Sequence, residues 1–158
     1  VTEQWDDLQR TTRAQCIVYR DGKLLMVRHR EGKAEYWCLP GGGVEPGELS
    51  AEAALRELEE ECGVKGTILC ETSRLTYSPT DQTHTFLVDI GEQIPSMGSD
   101  PEFSEIDQIM VDVRWLALDE IPERDRVFLW AAGLLAIEEF FTEVSTWGDS
   151  ISYPLSRT

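Results

Sequence analysis

The sequence predicts an α/β domain, a mixed β-sheet packed between helices. Three observations predict it. An Asp-Gly turn joins two apolar runs near the start, and a helix is marked at both ends at residues 50–62. The remaining strand-like runs are not spaced as regular β-α-β units, which favours a mixed sheet over a purely parallel one. The 158 residues suit one domain over 1–158, long enough to bury a core without disulfides or a structural metal.

Residues 1–12 form a polar lead-in. Cys16–Arg20 and Lys23–His29 flank Asp21-Gly22, a dipeptide that tolerates the positive φ angles of a tight hairpin turn. A loop rich in turn formers follows, containing Leu39-Pro40-Gly41-Gly42-Gly43 and Pro46-Gly47. The helix comes next, with Ser50 as N-cap, Glu52 in the first turn where the helix dipole favours an anion, and Gly63 placed to end it in the left-handed conformation. Ala51, Ala54, Leu55, Leu58 and Cys62 recur at helical spacing and make its buried face. Strands are predicted at Thr67–Tyr77, Thr83–Ile90 and Val111–Leu118, with a long loop over Gly91–Asp107. Arg126–Val144 has the period of one long amphipathic helix, its stripe formed by Val127, Trp130, Leu134, Ile137 and Phe141. That stripe reads as core or, alternatively, as the contact of a homodimer. The tail 147–158 has no assignment.

A net charge of −16 argues against a nucleic-acid polymer as partner, because backbone phosphates require a basic surface. An acidic protein can still bind phosphates through bridging metal ions. No apolar run reaches the length of a membrane span, and the first residues lack the apolar stretch of a secretion signal. Cys16, Cys38, Cys62 and Cys70 form no zinc-like cluster and read as reduced thiols of a cytoplasmic protein, with Cys16 and Cys62 in the core.

Glu57, Glu60 and Glu61 stand at i, i+3 and i+4, so they share about 100° of the helix surface at the rim of its apolar stripe. Like charges at that spacing repel by roughly 0.2–0.5 kcal/mol per pair. Taken alone, three glutamates are better explained as a solvated acidic face, yet hard carboxylate oxygens also suit Mg²⁺ or Mn²⁺. Upstream, Gly41-Gly42-Gly43 permits close approach of backbone to a ligand, and Arg56 can clamp the Glu48 carboxylate as a fork.

In register, these residues change the odds. Gly42, five residues, Glu48, seven residues, then Arg56-Glu57-Leu58-Glu59-Glu60-Glu61-Cys62-Gly63-Val64 resembles the Nudix box, G-x5-E-x7-R-E-U-x-E-E-x-G-U, with every defined position filled. A chance match is on the order of one in 10⁸ per start position or rarer. A weaker resemblance runs from the first hairpin through Trp37-Cys38-Leu39-Pro40 to Val113-Arg114-Trp115-Leu116.

The resemblance implies the Nudix fold, an α/β/α arrangement with the box as loop–helix–loop. It also implies Mg²⁺-dependent hydrolysis, with Mn²⁺ as a substitute, of a nucleoside diphosphate linked to another group such as a triphosphate or ADP-ribose. Glu57, Glu60 and Glu61 would be catalytic metal ligands, joined by the Gly41 carbonyl. Glu48, Arg56, Gly42 and Gly63 would support the site. Glu61 is the favoured general base, with Glu102, Glu105 and Asp112 as alternatives outside the box. The small nucleotide-type substrate would meet Arg28, His29 and Arg30 at the end of the second strand, and Tyr77. Tyr36 and Phe86 could also stack a base, although aromatics in strands are more often core. The competing readings are a silent Nudix-like module that binds a nucleotide or a protein, an isoprenoid diphosphate isomerase, and an accidental match in an acidic Ca²⁺-binding module.

Overall fold

The computed structural model describes residues 11–79, 81–98 and 110–145, without the side chains of Thr11 and Tyr77. The lead-in before Thr11, the tail, Glu102 and Glu105 lie outside the described residues.

Alternation of apolar and polar residues builds the first sheet. β1 (Thr11–Ile17) points Ala14 and Cys16 to one face, and Arg13, Gln15 and Ile17 to the other. It pairs parallel with β7 (Asp81–Asp89) and antiparallel with the short β5 (Gly41–Gly43), while β6 (Thr67–Ser78) pairs antiparallel with β7. The strand order is β5-β1-β7-β6, a mixed sheet.

The second sheet grows from the predicted hairpin. β2 (Tyr19–Arg20) turns through Asp21 at φ 52° and Gly22 at φ 76° into β3 (Lys23–Glu31). β4 (Ala34–Cys38) continues along the edge that β2 begins, and β8 (Met110–Ala117) covers the other edge of β3. The sheets touch where the chain passes between them: Leu25 N–H donates to Val18 C=O, and Cys16 N–H to Pro40 C=O, each at 2.9 Å.

Helices cover both faces. α1 (Ser50–Cys62) buries Ala53, Ala54, Leu58 and Cys62 against Ala14, Cys16, Leu25, Val27 and Phe86. A fully buried leucine such as Leu58 contributes about 1.5–3 kcal/mol. Across the sheets, Ile17, Leu24, Met26 and Leu116 meet residues 118–144. The expected layering, strands between helices, is present. Cys16 and Cys62 are core and all four cysteines are free thiols. Phe86 is buried in the core rather than presented to a ligand.

Two expectations need correction. Ser50 is the first helical residue, not the N-cap. Leu49 holds that place in extended conformation, and its N–H donates to Glu52 Oε1 at 3.2 Å. The final helix is not continuous either. α2 (Glu123–Ala131), a 3₁₀ turn (Leu134–Ala136) and α3 (Glu138–Val144) replace it. Gly133 breaks it at φ 90°, with its α-carbon so close to β6 that a β-carbon would lie 2.4 Å from the Thr72 carbonyl oxygen. The carbonyls that end α2 accept hydroxyl protons from β6 instead, Ala132 from Thr72 at 2.8 Å and Ala131 from Ser73 at 2.7 Å. The break re-phases the stripe, so Phe140 is buried while Phe141 is 55% exposed.

Candidate active site

The glycine-rich turn and α1 meet at the edge of the first sheet. Gly41 and Gly42 pair with Gln15 and Ala14, and this brings the loop onto the carboxylate face of the helix. At Gly42 the fit is close, since a β-carbon would lie 2.5 Å from Glu57 Oε1 and the end of that side chain would have to shift. Gly41 N–H donates to Glu61 Oε1 at 2.7 Å.

Arg56 organises the rest. Its Nε and Nη2 grip both Glu48 oxygens at 2.9 and 3.1 Å, and Nη2 also donates to the Gly43 carbonyl at 2.9 Å. Its Nη1 reaches Glu57 Oε1 at 3.0 Å and Glu60 Oε2 at 3.2 Å. One guanidinium thus ties the loop, the helix start and two of the three carboxylates together. Its hydrogen bonds hold the Glu48 carboxyl below the usual range. Gly63 closes the helix as expected, at φ 69°, with its N–H on Glu59 C=O at 2.9 Å.

Glu57 and Glu61 are 6% and 4% exposed. Two carboxylates this buried, one turn apart, are costly unless opposed by positive charge. Burial, and then repulsion from Glu61, push the Glu57 pKa up to about 7 despite Arg56. The second cation near the pair is His29, whose Nε2 lies 3.6 Å from Glu61 Oε2. Burial opposes its charge, but contacts with Cys38 and Glu61 outweigh it and push the His29 pKa up to about 10.

Among the described residues, no three His, Cys, Asp or Glu side chains already converge as a closed metal cage. The donor set nevertheless fits a hard divalent cation. Glu57 and Glu61 offer carboxylate oxygens largely withdrawn from water, and the one guanidinium at Glu57 is shared with Glu48 and Glu60.

A cleft of about 480 Å³ opens between the two sheets, a size suited to a small ligand. Arg13, Gln15, Thr83 and Thr85 line it from the first sheet, His29, Tyr36 and Cys38 from the second, and Phe128 from α2. His29 belongs both to the cleft wall and to the Glu61 contact, so it joins the two halves of the site. Arg28 and Arg30 do not line the cleft. Arg28 lies 3.6 Å from Glu35 and 4.0 Å from Asp112, over the Trp37 ring, and Arg30 pairs with Glu35 at 3.0 Å. Asp112 is further engaged by Arg114 at 2.7 Å. Tyr77 lies in β6, its side chain outside the described residues. Arg13, Gln15, Thr83, Thr85 and Phe128 were not anticipated. A signal existed for the first two, which are polar residues alternating with the buried Ala14 and Cys16 in a strand covered on both faces.

Fold and site together define a class, a mixed-sheet domain whose carboxylate helix is packed against a glycine turn and linked through His29 to a cleft between two sheets. The sequence profile of the NUDIX domain matches residues 9–136, and the chain belongs to the Nudix family. Members generally use divalent metal ions. Among its relatives, it is 32% identical over 89 residues to the putative mutator protein MutT4 of Mycobacterium tuberculosis, covering 56% of this chain and 35% of that protein. It is 49% identical over 62 residues to the RNA pyrophosphohydrolase of Erythrobacter litoralis, 39% of this chain and 38% of that one. To the nucleoside triphosphatase NudI of Escherichia coli it is 36% identical over 73 residues, 44% and 51% respectively. The matches therefore span about a third to a half of these relatives' lengths. A NUDIX hydrolase structure from Nitrosomonas europaea aligns over 93% of this chain and 94% of its own, with a TM-score of 0.63 at 22% identity. An ADP-ribose pyrophosphatase from Streptococcus suis aligns over 92% and 97%, with a TM-score of 0.58 at 17% identity. Among the described residues no helix is long and apolar enough to cross a membrane.

Proposed function

We propose that this chain hydrolyses the diphosphate linkage of a nucleoside diphosphate derivative, using Mg²⁺ or Mn²⁺ held by Glu57, Glu60 and Glu61. The observation that carries the reading is the burial of Glu57 and Glu61 one turn apart on α1, with Glu61 in contact with His29 of the cleft wall. A solvated acidic face would leave both in water. The bound cation would neutralise phosphate charge and lower the pKa of water.

The chain's own residues divide the remaining work. Gly41 N–H and His29 hold Glu61 at the junction of helix and cleft, where it can accept a proton from water attacking phosphorus. Arg56 fixes the direction of Glu57 and Glu60, so little reorganisation is needed when substrate arrives. Tyr36 and Phe128 offer apolar walls, and Gln15, Thr83 and Thr85 polar groups, to the nucleoside part. The relatives carry names that point to different nucleotide substrates, so similarity alone does not choose among them. The net charge of −16 favours a small molecule over a long RNA.

The test is turnover of a panel of nucleoside triphosphates, ADP-ribose and dinucleoside polyphosphates with Mg²⁺, read as released phosphate, pyrophosphate or nucleoside monophosphate. Glu61→Gln is expected to lower kcat by about 100- to 10,000-fold while still folding. If the wild type turns over none of them, the chain is a binding module. If Glu61→Gln is as active as wild type, the base lies elsewhere.

A further inference from the structure

Among the described residues, the cations near the site other than Arg13 each lie within 4.0 Å of a carboxylate, although Arg28 Nε and His29 Nε2 make no hydrogen bond. Arg56 is saturated by Glu48, Gly43, Glu57 and Glu60, Arg28 and Arg30 face Glu35, and His29 faces Glu61. Arg13 is different. It lines the cleft, is exposed, and among the described residues has no carboxylate within 4.0 Å and no hydrogen-bond acceptor. In a chain with 30 acidic and 14 basic residues, an arginine without an acidic partner inside a ligand-sized cleft is a marked departure from the surroundings. Asp81 shares the same wall, one diagonal step away across the β1–β7 pairing, where its Oδ2 accepts from Ser78 Oγ at 3.1 Å.

The strand register sets Arg13 relative to the carboxylates. Gln15 is the Cα partner of Gly41, whose N–H binds Glu61. Arg13 lies two residues further along β1, opposite Gly43, on the same face as Gln15. Two strand residues are about 7 Å. That offset exceeds one phosphoanhydride bridge and is comparable with the span of a ribose. A diphosphate lying against the carboxylates would leave its adjoining sugar within reach of this guanidinium.

We infer that Arg13 is a specificity-determining residue that selects nucleoside diphosphate derivatives bearing a further phosphate on the ribose. A guanidinium fork is suited to such a group, because it can bind two phosphate oxygens in parallel. The assignment rests on the hydrolase reading for the position of the diphosphate, and it adds a preference that this reading does not contain.

Two matched pairs test it: coenzyme A with dephospho-coenzyme A, and 2′-phospho-ADP-ribose with ADP-ribose. Each pair differs by one sugar phosphate. The readout is the ratio of kcat/KM within a pair, with Mg²⁺, for wild type, Arg13→Gln and Arg13→Lys. A ratio cancels any general loss of active protein. Wild type is expected to favour the phosphorylated member of at least one pair by tenfold or more, Arg13→Gln to bring that ratio near one, and Arg13→Lys to retain part of it. Dissociation constants for the same four molecules are measured in parallel on the Glu61→Gln background. If nothing is turned over but binding shows the same Arg13-dependent ratio, the specificity assignment stands and the hydrolase reading falls. Ratios near one in wild type, a ratio that survives Arg13→Gln, or neither binding nor turnover of any of the four would overturn the assignment.

Discussion

Gly42 and the Glu57 carboxylate occupy the space of a single side chain, for a β-carbon on Gly42 would lie 2.5 Å from Glu57 Oε1 and 2.8 Å from Oε2. The glycine is thus required by the position of a carboxylate rather than by its own backbone, which needs no positive φ there. Gly42→Ala should displace the end of Glu57 while the strand persists. We expect a stability loss of about 1–3 kcal/mol, typical of overpacking, with a rise of tenfold or more in the Mg²⁺ concentration giving half-maximal activity. Urea unfolding and metal titration check the two effects separately. An alanine variant with unaltered metal dependence would show that Glu57 is free to move without consequence.

Glu57 makes stability depend on pH in a way that can be signed. Its pKa is pushed up to about 7 in the folded protein, against about 4.3 in an unfolded chain. The folded state therefore binds more proton across that window, and this residue's contribution to stability falls as pH rises through it. Glutamine imitates the neutral acid and keeps an oxygen for Arg56. Without divalent cation at pH 8, Glu57→Gln should be more stable than wild type by about 0.5–2 kcal/mol, a gap that closes near pH 5. Saturating Mg²⁺ should raise the Tm of wild type more than that of the variant, at the expense of activity in the variant. Calorimetric Tm values at the two pH values, with and without Mg²⁺, decide the matter. A variant less stable at pH 8 would refute the view that this carboxylate is held at a cost to stability.

Arg56 could be read in the sequence as a clamp on Glu48, and the structure adds three further hydrogen-bond partners to the same guanidinium. Lysine preserves the charge but loses the fork. Arg56→Lys is expected to lose about 1.5–3 kcal/mol, the contribution of hydrogen bonds to charged groups. Its urea midpoint should fall at unchanged slope. A Lys variant as stable as wild type would mean that only the charge matters.

What was legible in the sequence follows the range of the interactions concerned. The Asp21-Gly22 hairpin, the exit of α1 at Gly63 and the clamp between Arg56 and Glu48 are set by residues close in the chain, and each stands where the spacing puts it. Contacts distant in sequence were not legible. The end of α2 depends on Thr72 and Ser73 of β6, some sixty positions away, so a continuous 3.6-residue period concealed the break at Gly133. The N-terminus of α1 misled by one residue for the opposite reason. Glu52 satisfies the Leu49 amide from inside the helix, so the serine with the better capping propensity was not needed as the cap. The carboxylates of the box could be named from the sequence, but the cleft could not. Its walls come from β1, β3, β4, β6, β7 and α2, elements of both sheets that meet only in the folded chain.

Gly98 carries the last prediction, because it joins the loop after β7 to the carboxylate helix. Ser96 N–H donates to the Cys62 carbonyl at 2.9 Å, and Gly98 N–H to that of Glu61 at 2.8 Å. Both acceptors are carbonyls at the C-terminal end of α1, which the helix itself leaves unsatisfied. The approach is so close that a β-carbon on residue 98 would lie 1.9 Å from the Glu60 carbonyl oxygen, and backbone cannot swing aside as a side chain can. Gly98→Ala must therefore lift the loop from the helix and break the Gly98–Glu61 bond. We expect a loss of about 1–3 kcal/mol, with faster hydrogen exchange at the amides of Ser96 and Gly98 and little change in the hairpin at Asp21-Gly22. Because α1 stays packed on its apolar face through Leu58 and Cys62, the carboxylates should remain, and activity should fall less than in Glu61→Gln. Exchange measured residue by residue distinguishes this from general destabilisation, which would accelerate exchange in the hairpin as well.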